Sequence, residues 1–333
     1  MRTFGWLLLA AGCLPEVASD LARVDEPRIL AVRAEPAEAA PGEAATLTAL
    51  YADADGELSA APLDWAFCVA RRPLAELGPV NRRCLAAEGD ALIAIGEGLE
   101  VTTTLPEDGC RLFGPDPPPA QADQPAGRVV DPDLSGGYYQ PIRVQPPGAD
   151  AEQTLLLLRI RCGLAGATQQ QSAEHRRRYK PNVAPAVTLA VDGAALEGLQ
   201  VHAGEEVALR ARWAACPSAP ACGDGVCSLD EDGDSCAQDC GETSGCAGAE
   251  TYLIFDPTTL QLATRREAIG AAWYATGGSF AAARTGRAPE DLDAFSDNTW
   301  TAPDVAGSYA LWVVLRDDRG GVAWHRADVT VTP

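Results

Sequence analysis

Residues 206–213, Glu206-Val207-Ala208-Leu209-Arg210-Ala211-Arg212-Trp213, carry the alternation that decides the fold. In an extended chain successive side chains point to opposite faces, so every second residue from Val207 to Trp213 shares an apolar face. Arg210 and Arg212 fall on the other face. A strand with one apolar and one polar face is typical of an antiparallel sheet that covers a core on one side. The segment therefore predicts a half-buried strand.

Short segments of the same kind occur on both sides of this one. They are separated by turns such as Gly277-Gly278 and Asp317 to Gly321. Short alternating strands divided by Gly-rich turns are typical of a β-sandwich. We predict such a sandwich over residues 184–333, with strands near residues 187–191, 207–213, 251–255, 268–274, 308–315 and 327–332.

The first half of the chain also has short alternating segments separated by turns, and it predicts a sandwich over residues 28–163. Its strands are expected near residues 28–33, 45–51, 64–69, 98–104, 138–144 and 153–161. Gly114 to Pro119 contains four prolines and cannot be a central strand, because proline lacks the ladder donor. We predict a long loop from there through Asp133. The predicted fold class is therefore all-β, with two immunoglobulin-like β-sandwich domains in tandem.

The two domains are joined by a segment, residues 164–183, that predicts a short helical linker. Arg176-Arg177-Arg178 would face the carbonyl groups at the C-terminal end of this helix, with a Glu174 to Arg178 pair one turn apart. A basic patch for nucleic acid or lipid phosphate is the alternative. The acidity of the whole chain favours the helix-end interpretation.

The overall charge limits the partners of the protein. The chain has 333 residues, with 47 Asp and Glu against 26 Lys and Arg, and a formal charge of −21. Nucleic acid and anionic lipid surfaces would be repelled, so we predict no nucleic-acid partner. Lys180 is the only lysine, so a Schiff-base mechanism would depend on that residue alone. The apolar fraction of 47% is that of a globular protein.

The N-terminus indicates export. Met1-Arg2-Thr3 is followed by an apolar run from Phe4 to Ala11, which is much shorter than the ~20 residues of a membrane span. Leu9-Ala10-Ala11-Gly12-Cys13 resembles a bacterial lipobox, although Ala10 stands where leucine is commonest in that family. The resemblance implies a signal peptide at residues 1–12, lipidation of Cys13 and a membrane-bound protein. A plain secreted protein with Cys13 as a spare thiol is the alternative.

The segment after the lipobox predicts a flexible tether. Residues 13–27 contain two prolines, mixed charge and no apolar period. In lipoproteins of this kind an acidic residue directly after the lipidated cysteine tends to hold the protein at the inner membrane, and here the residue is Leu14. The resemblance therefore implies the outer membrane, with the face left open.

Eleven cysteines suit an oxidising compartment, because ten remain after Cys13 and can close five disulfides. Four belong to the first domain, where three connectivities exist. We favour Cys68 with Cys84 and Cys110 with Cys162. The other six form an insertion, residues 216–246, too poor in large apolar residues to fold by burial alone. Zinc is disfavoured by the spacing, and three disulfides are expected among Cys216, Cys222, Cys227, Cys236, Cys240 and Cys246.

The insertion is also acidic. Cys222-Gly223-Asp224-Gly225-Val226-Cys227 and the residues through Cys240 resemble CGDGxC modules of secreted myxobacterial proteins and, more distantly, Notch-type repeats. In the Notch-type family carboxylates beside the cysteines hold calcium. The start of an EF-hand loop is present but Ser235 and Gly241 depart from it at the sixth and twelfth positions. Calcium and a hydrated acidic loop both stay open; the candidate ligands are Asp224, Asp230, Asp232, Asp234 and Asp239.

A second resemblance concerns residues 273–321. Trp273 to Gly278, Asn298 to Pro303, Gly307-Ser308-Tyr309 and Asp317 to Gly321 are similar to segments of bacterial immunoglobulin-like and polycystic-kidney-disease-type domains. The resemblance implies that the tryptophans lie in the core and that Gly-x-Tyr begins a late strand. It also implies that the Asp and Gly-Gly turn closes the last hairpin.

Motifs of catalysis are missing from the sequence. HExxH, GxSxG, phosphate-binding and dinucleotide-binding patterns are absent, and the three histidines are widely separated. We therefore expect a non-enzymatic cell-envelope protein whose loops bind a protein or glycan. Tyr138 and Tyr139 are sugar-stacking candidates, with core or hairpin packing as the alternative. Two other hypotheses are a calcium-dependent adhesive module and a hydrolase or protease-associated protein with an unrecognised site.

Overall fold

A computed structural model describes residues 21–70, 80–112, 133–148, 152–191, 193–196, 198–217, 219–240, 245–256 and 258–333. The predicted signal peptide, Cys13 and nearly all of the predicted loop at residues 114–133 lie outside these residues. The described part contains 21 strands and three helices, which confirms the all-β class. No helix in these ranges has the length and apolar character needed to cross a membrane.

The first domain is a sandwich of two sheets. Sheet I joins β1, β3, β4 and β7, and sheet II has the order β2-β9-β8-β5-β6. Side chains such as Leu47, Trp65 and Ile142 fill the space between the sheets and are fully buried. The elements are β1 (Arg28–Glu35), β2 (Glu38–Ala39), β3 (Ala44–Asp53), β4 (Gly56–Glu57), β5 (Asp64–Cys68), α1 (Arg82–Leu85), β6 (Leu92–Glu97), β7 (Glu100–Thr104), α2 (Gly109–Leu112), β8 (Gly137–Gln145) and β9 (Thr154–Arg161).

The linker contains the predicted helix, α3 (Gln169–Arg178). Thr168 caps its N-terminus in a capping box with Gln171, so two free amide donors of the first turn are satisfied. The Glu174 to Arg178 ion pair is present at 2.8 Å. The helical linker is thus confirmed.

The second domain is also a sandwich of two sheets. Sheet III has the order β11-β10-β13-β19-β17, and sheet IV has the order β12-β21-β20-β16-β18. The alternating segment described first is β13, at the centre of sheet III. The elements are β10 (Thr188–Val191), β11 (Ala194–Ala195), β12 (Leu199–His202), β13 (Glu206–Arg212), β14 (Thr251–Asp256), β15 (Gln261–Arg266), β16 (Ile269–Ala275), β17 (Ser279–Phe280), β18 (Arg284–Arg287), β19 (Phe295–Thr301), β20 (Gly307–Asp317) and β21 (Val322–Thr332).

The implications of the second resemblance hold in this domain. Trp273 and Trp300 lie in the core, and β20 begins at Gly307. The turn between β20 and β21 lies at Asp318 to Gly321.

The predicted strand at residues 251–255 does not belong to the sandwich, so that placement was wrong. β14 pairs only with β15, in a separate two-stranded sheet. Leu253 packs with Tyr179 of the linker and Leu229 of the insertion. The apolar residues of β14 are therefore buried against the linker and the insertion, a contact that alternation alone does not distinguish from a sandwich core.

The two sandwiches share a third apolar layer. Leu50 of β3 points away from the first core and packs on Trp312 of β20, which points away from the second core. The sheets therefore stack in the order II, I, IV, III, with cores between all neighbours. This layer contains Leu30, Ala31, Leu50 and Ala52 from sheet I and Ala272, Ala310, Trp312, Val314 and Val322 from sheet IV.

The end of the predicted tether is docked rather than flexible. The amide of Val24 donates to the Ala275 carbonyl and the amide of Ala275 donates to the Ala22 carbonyl, both at 2.9 Å. Val24 is completely buried in the layer between the sandwiches. Burial of this apolar side chain in the layer favours docking, which explains why residues 21–27 depart from the expectation of a free tether.

Candidate functional site

All ten cysteines from Cys68 onward are paired, which confirms five disulfides. In the first domain the pairs are Cys68–Cys84 and Cys110–Cys162, as predicted. Three further pairs lie within the insertion: Cys216–Cys246, Cys222–Cys236 and Cys227–Cys240. The insertion is therefore a small unit held by crosslinks and attached to the end of the second sandwich.

Removing the Cys110–Cys162 bond by a double change to serine should destabilise the protein more than removing Cys227–Cys240. The first pair closes a separation of 52 residues and the second one of 13. Chain entropy predicts losses of about 4 and about 3 kcal/mol respectively. Urea unfolding of the two variants checks this order. A larger loss for the shorter loop would mean that native contacts, not the unfolded chain, dominate.

The five candidate calcium ligands do not converge. Buried Asp239 accepts from the amides of Gly223 and Gly225 at 2.5 and 3.2 Å. Asp230 pairs with Arg178 of the linker helix at 2.5 Å. Asp224 and Asp232 accept from amides of their own turns, and Asp234 is exposed. Each of the four bonded carboxylates thus has local protein partners.

In the described part of the chain, no three of these five aspartates bring ligand oxygens within 4.8 Å of one another. One group of potential ligands does meet that distance, Cys222, Cys236 and Asp239, but its two sulfurs are bonded to each other. A disulfide sulfur is not the thiolate that binds metals. A calcium site built from three of these aspartates would require the loops to rearrange.

A buried charge network joins the two domains, and sequence reasoning missed it. At its centre Arg319, on the β20–β21 turn, is 1% exposed. Its guanidinium donates to Glu267 at 2.5 Å and to Glu250 at 2.7 Å. It also donates to the Lys180 carbonyl at 3.1 Å. One side chain therefore connects the last hairpin to the linker, to Glu250 just before β14 and to Glu267 just after β15.

The network continues into the first domain through Glu38. This residue is on β2 and pairs with Arg159 of β9 at 3.2 Å, with both side chains fully buried. Its Oε2 also accepts from the Tyr179 hydroxyl at 2.7 Å and from the Asn182 amide at 3.0 Å. Asn182 in turn donates to Asp317 at 3.1 Å. We call these residues the junction: Glu38, Asp133, Arg159, Tyr179, Asn182, Glu250, Glu267, Asp317 and Arg319.

The junction contains more acid than base. Four carboxyl groups, those of Glu38, Asp133, Glu250 and Glu267, pair with the guanidinium groups of Arg159 and Arg319. A fifth, that of Asp317, accepts from the backbone amide of Arg319. Burial raises the pKa of Glu250 and raises that of Glu267 strongly, against the attraction of Arg319. Burial also raises the pKa of Asp317 from 3.8 to about 6. Burial thus opposes ionisation of these three carboxyl groups, and the nearby Arg319 favours it.

At His175 burial shifts the pKa in the opposite direction, downward. It is buried on α3, with its ring stacked on Tyr179 at 4.7 Å. Burial lowers its pKa from 6.5 to about 4. The folded protein therefore resists protonation of this side chain. Its contribution to stability is present above pH 6.5 and is lost as the pH falls toward 4.

Asp317→Asn is expected to change the pH profile of stability. The Asp317 carboxyl binds its proton more tightly in the folded state than in the unfolded state. Its contribution to the free energy of unfolding is therefore present below pH 3.8 and is lost as the pH rises through about 6. Asparagine keeps an oxygen for the amides of Arg319 and Gly321 and does not ionise. Relative to the native protein, the variant should gain about 1–3 kcal/mol between pH 4 and pH 8. Urea unfolding across this range measures the gain.

His175→Gln serves as the matched variant with the opposite sign. It should gain stability relative to the native protein as the pH falls from 6.5 to 4, because glutamine does not protonate. If both variants follow the native profile in parallel, these two groups do not govern the pH dependence.

Close packing explains two glycines at the junction. A Cβ at Gly137 would overlap the Arg159 guanidinium, and one at Gly321 would overlap the Asp317 carboxylate. These glycines belong to the Gly-Gly pairs that the sequence shows at Gly136-Gly137 and Gly320-Gly321. Any side chain there would displace a buried charge.

The two tyrosines considered for sugar stacking lie on opposite faces of β8. Tyr138 belongs to the first core. Tyr139 lies beneath the Arg159 guanidinium, 5.3 Å from the ring centroid, at the edge of the junction. It is partly buried and shares a cleft with Tyr252, Arg265 and Asp318 of the second domain. The packing interpretation fits Tyr138, and Tyr139 is engaged by the buried arginine.

A separate cavity of about 170 Å³ lies where the insertion meets the second domain. Its walls include Pro217, Pro220 and Leu229 from the insertion, Lys180 from the linker and Arg319 from the junction. It is a concave site formed by three separate segments of the chain. Such sites are the usual places for small ligands.

The chain matches no protein-family model, and no curated protein matches it in sequence. Among solved structures it is similar to the Yersinia pseudotuberculosis adhesin InvE, at 11% identity and a TM-score of 0.24, over 91% of this chain and 58% of that one. It is similar to the Escherichia coli adhesin FdeC at 12% identity and a TM-score of 0.19, over 93% and 65%.

A nucleoside hydrolase-related hypothetical protein from Saccharophagus degradans matches at 13% identity and a TM-score of 0.22, over 45% of this chain and 26% of that one. The chain thus spans less than two thirds of InvE and of the Saccharophagus protein. TM-scores this low support no conclusion about function.

Proposed function

We propose that the protein is a non-enzymatic lipoprotein of the cell envelope that presents the insertion to a protein or glycan partner. The observation that supports this most is the set of contacts that join the two sandwiches, the linker and the insertion. The two sandwiches share an apolar layer, Arg319 donates to the Lys180 carbonyl of the linker, and Arg178 of the linker forms an ion pair with Asp230 of the insertion. A crosslinked insertion held against the domains by these contacts suits display of a pre-organised binding surface.

The contacts of the shifted carboxyl groups support a structural rather than a catalytic role for them. Glu250 and Glu267 hold Arg319, and Asp317 accepts from the backbone of its own turn. The enzymatic alternative has a direct test on peptide and glycoside substrates. Turnover that disappears with one acidic or histidine substitution would overturn the proposal.

Site-specific crosslinking in cells tests the binding role. A photoreactive residue replacing exposed Asp234, in the insertion, should give a discrete adduct with one partner. The matched control replaces exposed Asp55, in the β3–β4 turn of the first domain. We expect the adduct from position 234 alone. Equal adducts from both positions, or none from position 234, would contradict presentation by the insertion.

Detergent partitioning tests the anchor. The native protein should enter the detergent phase, and Cys13→Ser should move it to the aqueous phase, because the acyl chains are attached through that sulfur. Recovery of both proteins in the same phase would contradict lipidation. The proposed outer-membrane location is checked by separating the membranes of the same cells.

The calcium hypothesis has an independent test. If the insertion binds calcium after rearrangement, adding Ca²⁺ should raise the Tm and a chelator should reverse the rise. An unchanged Tm would remove the calcium-dependent adhesive role and leave the binding role without metal.

A further inference from the structure

The cavity beside the insertion has an apolar wall and one charged group, the Lys180 ammonium, that forms no ion pair within 4.0 Å with the described residues. Pro217, Ala219, Pro220, Val226 and Leu229 form the apolar part of its lining. A volume of about 170 Å³ is close to that of an engineered ~150 Å³ cavity that takes up benzene. The space therefore suits a compact body about the size of one aromatic ring.

Three other charged side chains that line the cavity are already satisfied. Asp230 is paired with Arg178 through both carboxylate oxygens, at 2.5 and 3.1 Å. Glu250 accepts from Arg319 at 2.7 Å and from the Cys246 and Val183 amides. Arg319 donates to Glu267, to Glu250 and to the Lys180 carbonyl. These groups have little capacity left for a ligand.

Lys180 differs from these three residues because its hydrogen-bond partners are uncharged. Its ammonium group donates to the Glu231 carbonyl and lies 3.2 Å from the Cys227 sulfur, both neutral acceptors. Among the residues that the structure describes, no carboxylate lies within 4.0 Å of it, although the chain has 47 acidic residues. The side chain is half-buried, so water screens its charge less than at an open surface.

An ammonium group carries three donors, and a sulfur atom is only a weak acceptor. Lys180 therefore keeps hydrogen-bonding capacity, and Asp232 acts on its charge without forming an ion pair within 4.0 Å. A carboxylate ligand would supply a counterion in direct contact and a strong acceptor, and a charge-assisted bond of this kind is roughly twice as strong as a neutral one.

We propose that this cavity binds small carboxylic acids with a compact apolar body, with the carboxylate on Lys180 and the apolar part against the proline-rich wall. This activity is separate from the macromolecular partner proposed above. Lys180 binds the anion, and Val226 and Leu229 limit the size of the apolar part.

Benzoate is a suitable probe because benzamide has nearly the same shape without the charge. Binding to the whole protein is measured by NMR titration at low ionic strength. We expect benzoate to bind at least tenfold more tightly than benzamide, and Lys180→Met to weaken benzoate at least tenfold while leaving benzamide unchanged. The matched control, Arg177→Met, removes an exposed positive charge on α3 and should leave benzoate affinity within twofold.

A second variant guards against misfolding of Lys180→Met. Val226→Glu places a carboxylate in the cavity lining, where it can pair with Lys180 and exclude the probe while the lysine is retained. Both variants are first checked for native Tm and five intact disulfides. Equal affinities for benzoate and benzamide, or unchanged benzoate affinity in folded Lys180→Met or Val226→Glu, would overturn the proposal. Loss of the crosslinking partner with benzoate binding intact would contradict the proposed function alone.

Discussion

Arg319→Met is expected to lower the free energy of unfolding by about 3–5 kcal/mol, the cost of breaking a buried ion pair by removing one partner. Methionine keeps most of the side-chain volume but leaves Glu250 and Glu267 without their common cation. Both carboxyl groups are nearly or fully buried. They must then bind protons or admit water, and either event weakens the connection between the domains. Urea unfolding with the disulfides intact measures the loss.

Two further variants test whether the loss is electrostatic. Adding Glu267→Gln to Arg319→Met should recover part of the stability, because it removes one of the unpaired charges. Arg265→Met is the control: its ion pair with Asp318 is exposed and 3.7 Å long, so the change should cost less than about 1 kcal/mol. A loss of 1 kcal/mol or less for Arg319→Met would show that the junction is not held by this residue.

Trp312→Ala is the second change with a large expected effect, also about 3–5 kcal/mol. The indole is completely buried in the layer between sheets I and IV, so its removal leaves a cavity between two domains. Neither sheet can close the gap without moving a whole sandwich. We therefore expect calorimetry to show one transition for the native protein and a broadened or divided transition for the variant.

Replacing the indole by phenylalanine is a control that separates the loss of apolar volume from the loss of the polar N–H group. Its Nε1 has no hydrogen-bond partner among the residues that the structure describes, so Trp312→Phe removes an unsatisfied donor while keeping much of the apolar area. Trp312→Phe should cost less than about 1.5 kcal/mol, and Val305→Ala, at a residue 69% exposed, less than about 0.5 kcal/mol. If Trp312→Ala behaves like Val305→Ala, the layer between the sandwiches does not stabilise the fold.

Local sequence patterns were sufficient to predict those parts of the fold that are determined by residues close together in the sequence. Alternation located β13, turn residues separated the strands, and short cysteine spacings indicated the crosslinked insertion. Two-residue periodicity also assigned β14 to a strand, but it could not say which surface buries the strand. That surface is the linker and insertion, so the assignment to the sandwich failed.

Contacts between distant segments were not predictable in the same way. The run from Tyr309 to Leu315 is apolar at every position, which is typical of a strand buried on both faces, as β20 is in the four-sheet stack. Arg159 follows four leucines, another sign of an unusual buried charge. Its partner Glu38 lies 121 residues away, and no periodicity connects them.

The docked segment before β1 determines how the protein would carry mechanical load. Ala22 and Val24 are bonded to Ala275 of the second domain, although they precede the first domain in the chain. Tension applied from an N-terminal attachment would therefore reach β16 before it reaches β1. The two sandwiches, joined by the Trp312 layer, would therefore be loaded in parallel rather than in series.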